Sequence, residues 1–161
     1  MLLKKKKSLK LLVATVIPIC LLAYLSGLIT KSSVNGWYKT LIKPPLTPPN
    51  ITFPIVWSIL YVLIGMSLWQ LYLAKANKHM PNKPIVYFYI QFALNLLWTP
   101  AFFGMHSTGL GLIVILPLWL MVWLTIQSSY KYSKTAAYLL VPYYIWVTFA
   151  VYLNWQLFVL N

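Results

Sequence analysis

The side chains of this 161-residue chain that could do chemistry are indoles, phenols, amides and amines, because it contains no Asp, Glu or Arg. Three apolar stretches carry them at helical spacing. They are Trp57, Tyr61, Gly65 and Leu68; then Gln91, Asn95, Trp98 and Phe102; then Pro142, Trp146, Phe149, Ala150, Leu153 and Asn154. Separations of three and four residues put each set on one helix face. Such faces could wall a pocket or simply pack, with Gly65 and Ala150 as close-packing points between helices. Amides are costly in hydrocarbon unless bonded, so Gln91, Asn95 and Asn154 are expected to point inward. There they act either as interhelical glue or as ligand contacts, and their sharing of faces with Trp98 and Trp146 favours a pocket.

The missing carboxylates exclude paired-carboxylate hydrolysis, carboxylate-ligated metals, Ser-His-Asp relays and acidic proton wires. No glycine-rich phosphate loop, CxxC pair or nucleophile elbow is present. His79 and His106 fall in different loops, on opposite faces of a membrane, so they cannot share a metal ion, and both read as solvated loop residues. Cys20 is the single cysteine, which rules out an intrachain disulfide and reads as apolar packing. Trp69, Trp119, Trp123 and Trp155 have no evident polar partner and read as packing or as an interfacial belt.

The elements that must position these residues are membrane helices. Hydrophobic residues make up 61% of the chain and aromatics 17%, beyond the ordinary range of a soluble domain. Lysines and loop signals punctuate five apolar runs, at roughly 11–30, 52–73, 84–103, 109–129 and 136–159, each near the ~20 residues that cross a bilayer core. The expectation is an all-α integral membrane protein, a single bundle of five transmembrane helices over residues 1–161. The lysine run at Lys4 to Lys7 resembles the start of a signal peptide. The apolar run after it is as long as a spanning helix, however, and no small-residue cleavage site closes it. It is therefore expected to be retained.

Of the 13 positive charges, ten lie in the N-terminal segment and the second and fourth loops, and three in the first loop. The positive-inside rule then puts the N-terminus in the cytoplasm, and the first loop and C-terminus outside. Lysines spread over short loops in this way suit membrane topology rather than nucleic acid. Their use without arginine points to an AT-rich genome and a bacterial plasma membrane. Prolines at positions 18, 54, 84, 100, 117 and 142 are expected to bend the helices, which could open a cavity.

Four stretches in order, WYKTLIKPPLTPP, WSILYVLIG, QFALNLLWTPAFFG and LLVPYYIWVTFAVYLN, resemble the translocator protein or tryptophan-rich sensory protein (TspO/MBR) family. The resemblance runs from the first loop to the C-terminus. It implies a five-helix bundle, commonly a homodimer, whose pocket opens toward a lid formed by the first loop, residues 31–51. It also implies a porphyrin ligand, protoporphyrin IX or haem, with no required cofactor and no metal site. Many members also bind sterols or synthetic ligands. Matched motif by motif, the pocket would comprise Trp57, Tyr61, Asn95, Trp98, Trp146, Ala150, Leu153 and Asn154, and the lid Trp37, Pro44 and Pro48. Some bacterial members are associated with light-dependent porphyrin breakdown, which would draw on Trp57 and Trp146. The chain departs from the family pattern at Leu46 and Leu96, where tryptophan is usual or frequent, and at Val114, where many members are acidic. It also lacks the basic residue of the C-terminal sterol pattern, so sterol recognition there is unsupported.

Three functional readings follow from that resemblance: a tetrapyrrole receptor or carrier, a light-dependent porphyrin-degrading protein, and a dimeric interaction protein. In the first, the prolines of the first loop would limit the entropy lost on closure, and Lys39 and Lys43 would meet the propionates. The alternative for those lysines is contact with lipid phosphates.

Overall fold

Hydrocarbon offers no hydrogen-bond partner to a peptide group, so an apolar run that crosses it must satisfy its own backbone as a helix. A computed structural model describes residues 2–78 and 80–161 of the chain, apart from the side chains of residues 2–7, 31, 32 and 78. Helix α1 spans Leu2–Asn35. A single helical turn, α2, covers Trp37–Thr40, and α3 covers Thr52–Lys78. Helix α4, Lys83–Thr99, runs on into a π-helical turn, Pro100–Gly104. The last two helices are α5, Thr108–Tyr130, and α6, Lys134–Leu160. Among the described residues five helices, all except α2, are long and apolar enough to span a membrane.

The helices outrun the apolar stretches at most of their ends, because a helix need not stop where hydrocarbon stops. The differences are largest for α1, which starts at Leu2 rather than near 11 and also runs past 30 into the first loop, expected over 31–51. Helix α1 continues to Asn35, and Trp37 to Thr40 are helical, so the extended part of the lid starts at Leu41. The last turn of α1 is held from outside itself, since Ser33 Oγ donates to the Phe103 carbonyl at 2.6 Å. Starts of other helices are set locally. Ser107 Oγ accepts from Leu110 N and Ser133 Oγ from Ala136 N, each at 3.2 Å, and each satisfies one otherwise unpaired first-turn donor.

Neighbours pack in the order α1, α3, α6, α5, α4, with α4 returning lightly to α1. Buried Ile64, Leu71, Phe88, Val122, Leu140 and Tyr143 form the centre. Prolines 18, 117 and 142 lie inside continuous helices and on their exposed surfaces. Pro100 differs. It supplies no N–H, and beyond it the bonds reach five residues back, from Met105 N to Pro100 O at 2.9 Å and from Ser107 N to Phe102 O at 3.2 Å. That widened turn re-aims Phe102 and Phe103 inward, as π-bulges commonly do at functional sites.

Glycine sets the closest helix approaches. A Cβ on Gly65 would stand 2.7 Å from Val16 Cα, so α1 and α3 meet backbone to backbone. On Gly111 of α5 it would stand 2.5 Å from Phe102 Cδ2 and 2.8 Å from Asn154 Oδ1. Gly65 is therefore a packing point. Gly65→Val should destabilise the detergent-solubilised protein by roughly 1–3 kcal/mol, read as a lowered thermal midpoint, whereas an unchanged midpoint would mean that α1 does not sit against α3 there.

Candidate functional site

Two hydrogen-bonded junctions tie the aromatic faces together. In the first, Tyr61 of α3 donates from its hydroxyl to Asn95 Oδ1 of α4 at 2.9 Å, and Asn95 Nδ2 donates to the Tyr143 hydroxyl of α6 at 3.0 Å. Trp57 stacks on Tyr61, with ring centres 5.3 Å apart, and meets Tyr143 edge-on at 6.1 Å. In the second, Trp98 Nε1 of α4 donates to Asn154 Oδ1 of α6 at 3.0 Å, while Asn154 Nδ2 donates to the Thr108 carbonyl of α5 at 2.8 Å. Asn95 and Asn154 are each nearly or wholly buried. A buried amide with both ends bonded to neighbouring helices fixes their register, and each such bond is worth about 1 kcal/mol.

Trp146 lies one turn beyond Tyr143 on α6, against Phe53 at 6.0 Å and Phe149 at 5.7 Å. Its indole Nε1 is buried and has no hydrogen-bond partner among the described residues. The same holds for both amide atoms of Gln91, which is 0% exposed. Ala150 is half-buried on the outer turns of α6, and Leu153 is buried there. The first junction therefore brings Trp57, Tyr61, Asn95 and Tyr143 together, with Trp146 beside it against Phe53 at the start of α3, while Trp98 and Asn154 form a separate layer nearer the lid.

The lid closes over that layer. Tyr38 is buried with Phe102, Phe103 and Leu157, and Trp37, Leu41, Val34 and Trp98 pack around them. Trp98 stacks on Phe102 at 5.1 Å. Burial pushes the Tyr38 phenol above its ordinary value, so the ring stays neutral, and Lys43 Nζ rests over it at 4.8 Å from the centre. Lys39 is exposed, Pro44 buried and Pro48 half-buried. Farther along, Ile42 N donates to Asn161 Oδ1 at 2.8 Å and Asn161 Nδ2 donates back to Ile42 O at 3.1 Å. That reciprocal pair clasps the lid to the end of α6.

Several participants were not visible in the pattern. Tyr143 escaped because α6 is aromatic on several sides: the stripe counted from Pro142 meets the buried face at Leu153 and Asn154 but passes beside the fully buried Tyr143 and Val147. Pro142 itself is exposed. His106, expected as a solvated loop residue, stacks its ring on Trp37 at 5.1 Å and lies 3.3 Å from Ser33 Oγ. Its backbone φ of +50° makes it the one left-handed non-glycine among the described residues. His79 lies outside the described residues. Trp69 and Trp119, expected to lack polar partners, have them: Trp69 Nε1 donates to Ser8 O at 3.1 Å and Trp119 Nε1 to Thr148 Oγ1 at 2.9 Å. Among the described residues no cluster of metal-ligating side chains forms.

Five apolar helices around buried aromatic and amide junctions, with a strap clasped across one end, define an integral membrane protein of the helical-bundle class. More specifically, the chain belongs to the TspO/MBR family, whose model matches residues 14–160. It is 40% identical to the tryptophan-rich protein TspO of Chlorobaculum tepidum over 152 residues, covering 94% of this chain and 96% of that one. It is 38% identical to the TspO of Archaeoglobus fulgidus over 93% of this chain and 96% of the relative. Against protein CrtK of Rhodobacter capsulatus it is 36% identical over 80% and 81% of the two chains.

The clasp makes a local prediction. Asn161→Ala removes both side-chain bonds to Ile42, so backbone amide hydrogen exchange around Ile42 should accelerate several-fold while exchange within α6 up to Val147 stays unchanged. Unaltered exchange at Ile42 would show that the lid is held by its aromatics alone.

Proposed function

We propose that this protein is a membrane receptor or carrier for a flat, hydrophobic tetrapyrrole such as protoporphyrin IX or haem, held at the α3–α6 seam beneath the lid. The observation that carries this reading is the Trp146 Nε1–H, buried beside the Phe53 and Phe149 rings and without an acceptor among the described residues. A buried donor left unpaired is costly by about 1–3 kcal/mol, and a ligand with a polar edge would relieve it. Trp57, Tyr61 and Phe53 offer ring faces to a macrocycle, which would enter by parting rings that now touch one another. Asn95, Trp98, Ala150, Leu153 and Asn154 would shape the far wall. Lys39 and Lys43 stand on the lid in a chain without acidic side chains, so no side chain there repels propionates. In this reading the lid faces outward from a bacterial plasma membrane, the lysine-rich ends of the helices face the cytoplasm, and the working unit is a homodimer.

Tryptophan fluorescence in the dark tests the pocket. Protoporphyrin IX should quench the wild type saturably, and Ala150→Leu should weaken that binding about tenfold, a change of ~1.4 kcal/mol. The double change Lys39→Gln, Lys43→Gln should also weaken it. Quenching that never saturates, or that ignores all these changes, would mean partitioning into detergent.

A second reading has the presence of two indoles, Trp57 and Trp146, along one helix seam in its favour. Excited porphyrin could exchange an electron with a neighbouring indole, leading to light-dependent breakdown. Replacing both with Phe retains aromatic walls but removes the Trp146 N–H, so dark binding should weaken by about tenfold or less, while at saturating porphyrin the loss of absorbance under light should stop. Equal photobleaching by the double variant would reject the indole role.

A further inference from the structure

A recess of about 330 Å³ lies away from the α3–α6 seam, between α1 on one side and α3 and α4 on the other. Its volume is within the range of small-molecule sites. Along α1 it runs from Leu11 to Leu22, about 16 Å at the helical rise of ~1.5 Å per residue. That is roughly half the ~30 Å hydrocarbon thickness, hence the depth of one leaflet. The walls are apolar, including Ile19, Leu68, Phe88 and Phe92. The one hydroxyl on the α1 wall, Thr15 Oγ1, is turned back onto its own helix and donates to Leu12 O at 3.0 Å. Leu22 and Tyr89 are 43% and 47% exposed, so the recess opens sideways, where lipid would be.

Its polar end has a definite character. Lys10 precedes Leu11, and Lys75 follows Tyr72 by one turn, both with exposed side chains. Lys75 Nζ donates to the Asn82 side-chain oxygen, a neutral partner, and the chain has no carboxylate side chain to neutralise either lysine. At the same rim the Tyr72 and Tyr89 hydroxyls bond to each other at 2.8 Å. Two hydroxyls sharing one bond leave one O–H free to donate. One exposed lysine thus stands next to the lining residue Leu11 and another a turn beyond the lining residue Tyr72, while the Tyr72–Tyr89 pair supplies a phenolic donor at the rim of an apolar slot about one leaflet deep.

We propose that this groove is a binding site for one acyl chain of an anionic phospholipid from the lysine-side leaflet, with its phosphate held between Lys10 and Lys75. The free Tyr72 or Tyr89 proton is directed to a phosphate or ester oxygen. The slot sets the chain, and the charge sets the headgroup class. This site is independent of any tetrapyrrole at the α3–α6 seam.

Native mass spectrometry of the full chain in detergent, titrated with phosphatidylglycerol or with phosphatidylcholine of the same acyl chains, tests the site. The wild type should retain one phosphatidylglycerol at a concentration about tenfold below that needed for phosphatidylcholine. Ala14→Phe places a ring in the slot and should abolish retention of either lipid with no change in thermal midpoint. Leu22→Trp, at the exposed lip, does the same service if that variant does not purify. Lys10→Gln with Lys75→Gln should keep one bound lipid but erase the preference. Equal retention of the two lipids by the wild type, or full retention by the slot-filling variants, would overturn the proposal. So would conversion of a dimer to a monomer by those variants with lipid retention unchanged, since the groove would then seat a second copy of this chain.

Discussion

A polar group inside a bilayer has no water to fall back on, and the arrangement of α3 through α6 follows from how two asparagines meet that constraint. Asn95 uses its carbonyl for Tyr61 and its amino group for Tyr143. Asn154 uses its carbonyl for Trp98 and its amino group for Thr108. Each amide thereby joins three helices, and neither can be satisfied if one helix slides by a turn. In a chain without acidic side chains no buried ion pair can set register, so neutral amides, phenols and indoles carry that task. Neutral groups also avoid the desolvation penalty that a buried ion pair incurs.

The lid end follows from the same rule applied to one proline. Pro100 cannot donate, and the helix answers with a π turn that shifts Phe102 and Phe103 relative to Trp98. Those rings then form the floor on which Tyr38 is buried. Gly111 is needed beneath, because any Cβ there would strike Phe102 and Asn154 together. The backbone defect, the glycine on α5, the asparagine on α6 and the tyrosine on the lid are thus parts of one packing arrangement. The Ser33 contact to Phe103 O extends it to α1.

This coupling also explains what could be read from the chain alone. Five helices were legible because length and hydropathy suffice once water is absent, and the inward direction of Gln91, Asn95 and Asn154 was legible because amides have nowhere else to go. Where α1 ends was not, since the polar residues up to Asn35 stay helical through a contact with the distant Phe103. Tyr143 was hidden by abundance: when tyrosine, tryptophan and phenylalanine surround a helix, ring chemistry no longer distinguishes the buried side from the lipid side. Trp69 and Trp119 show the converse, because their acceptors, a backbone carbonyl and a threonine hydroxyl, carry no sequence signature. Asn161 was unremarkable in the sequence because its clasp on Ile42 spans 119 positions.

Satisfied and unsatisfied polar groups alternate along the same helices. Asn95 and Asn154, which hold helices, have partners on both ends of the amide. Trp146 is only three residues from Tyr143, a member of one of those junctions, yet its N–H has no acceptor among the described residues. Sliding α6 to find one would break the Tyr143 and Asn154 bonds, so the junctions themselves keep Trp146 unpaired. Gln91, one turn before Asn95 on α4, is held in the same way. A bundle registered by its asparagines therefore leaves hydrogen-bonding capacity at Trp146 and Gln91 that the described residues do not use.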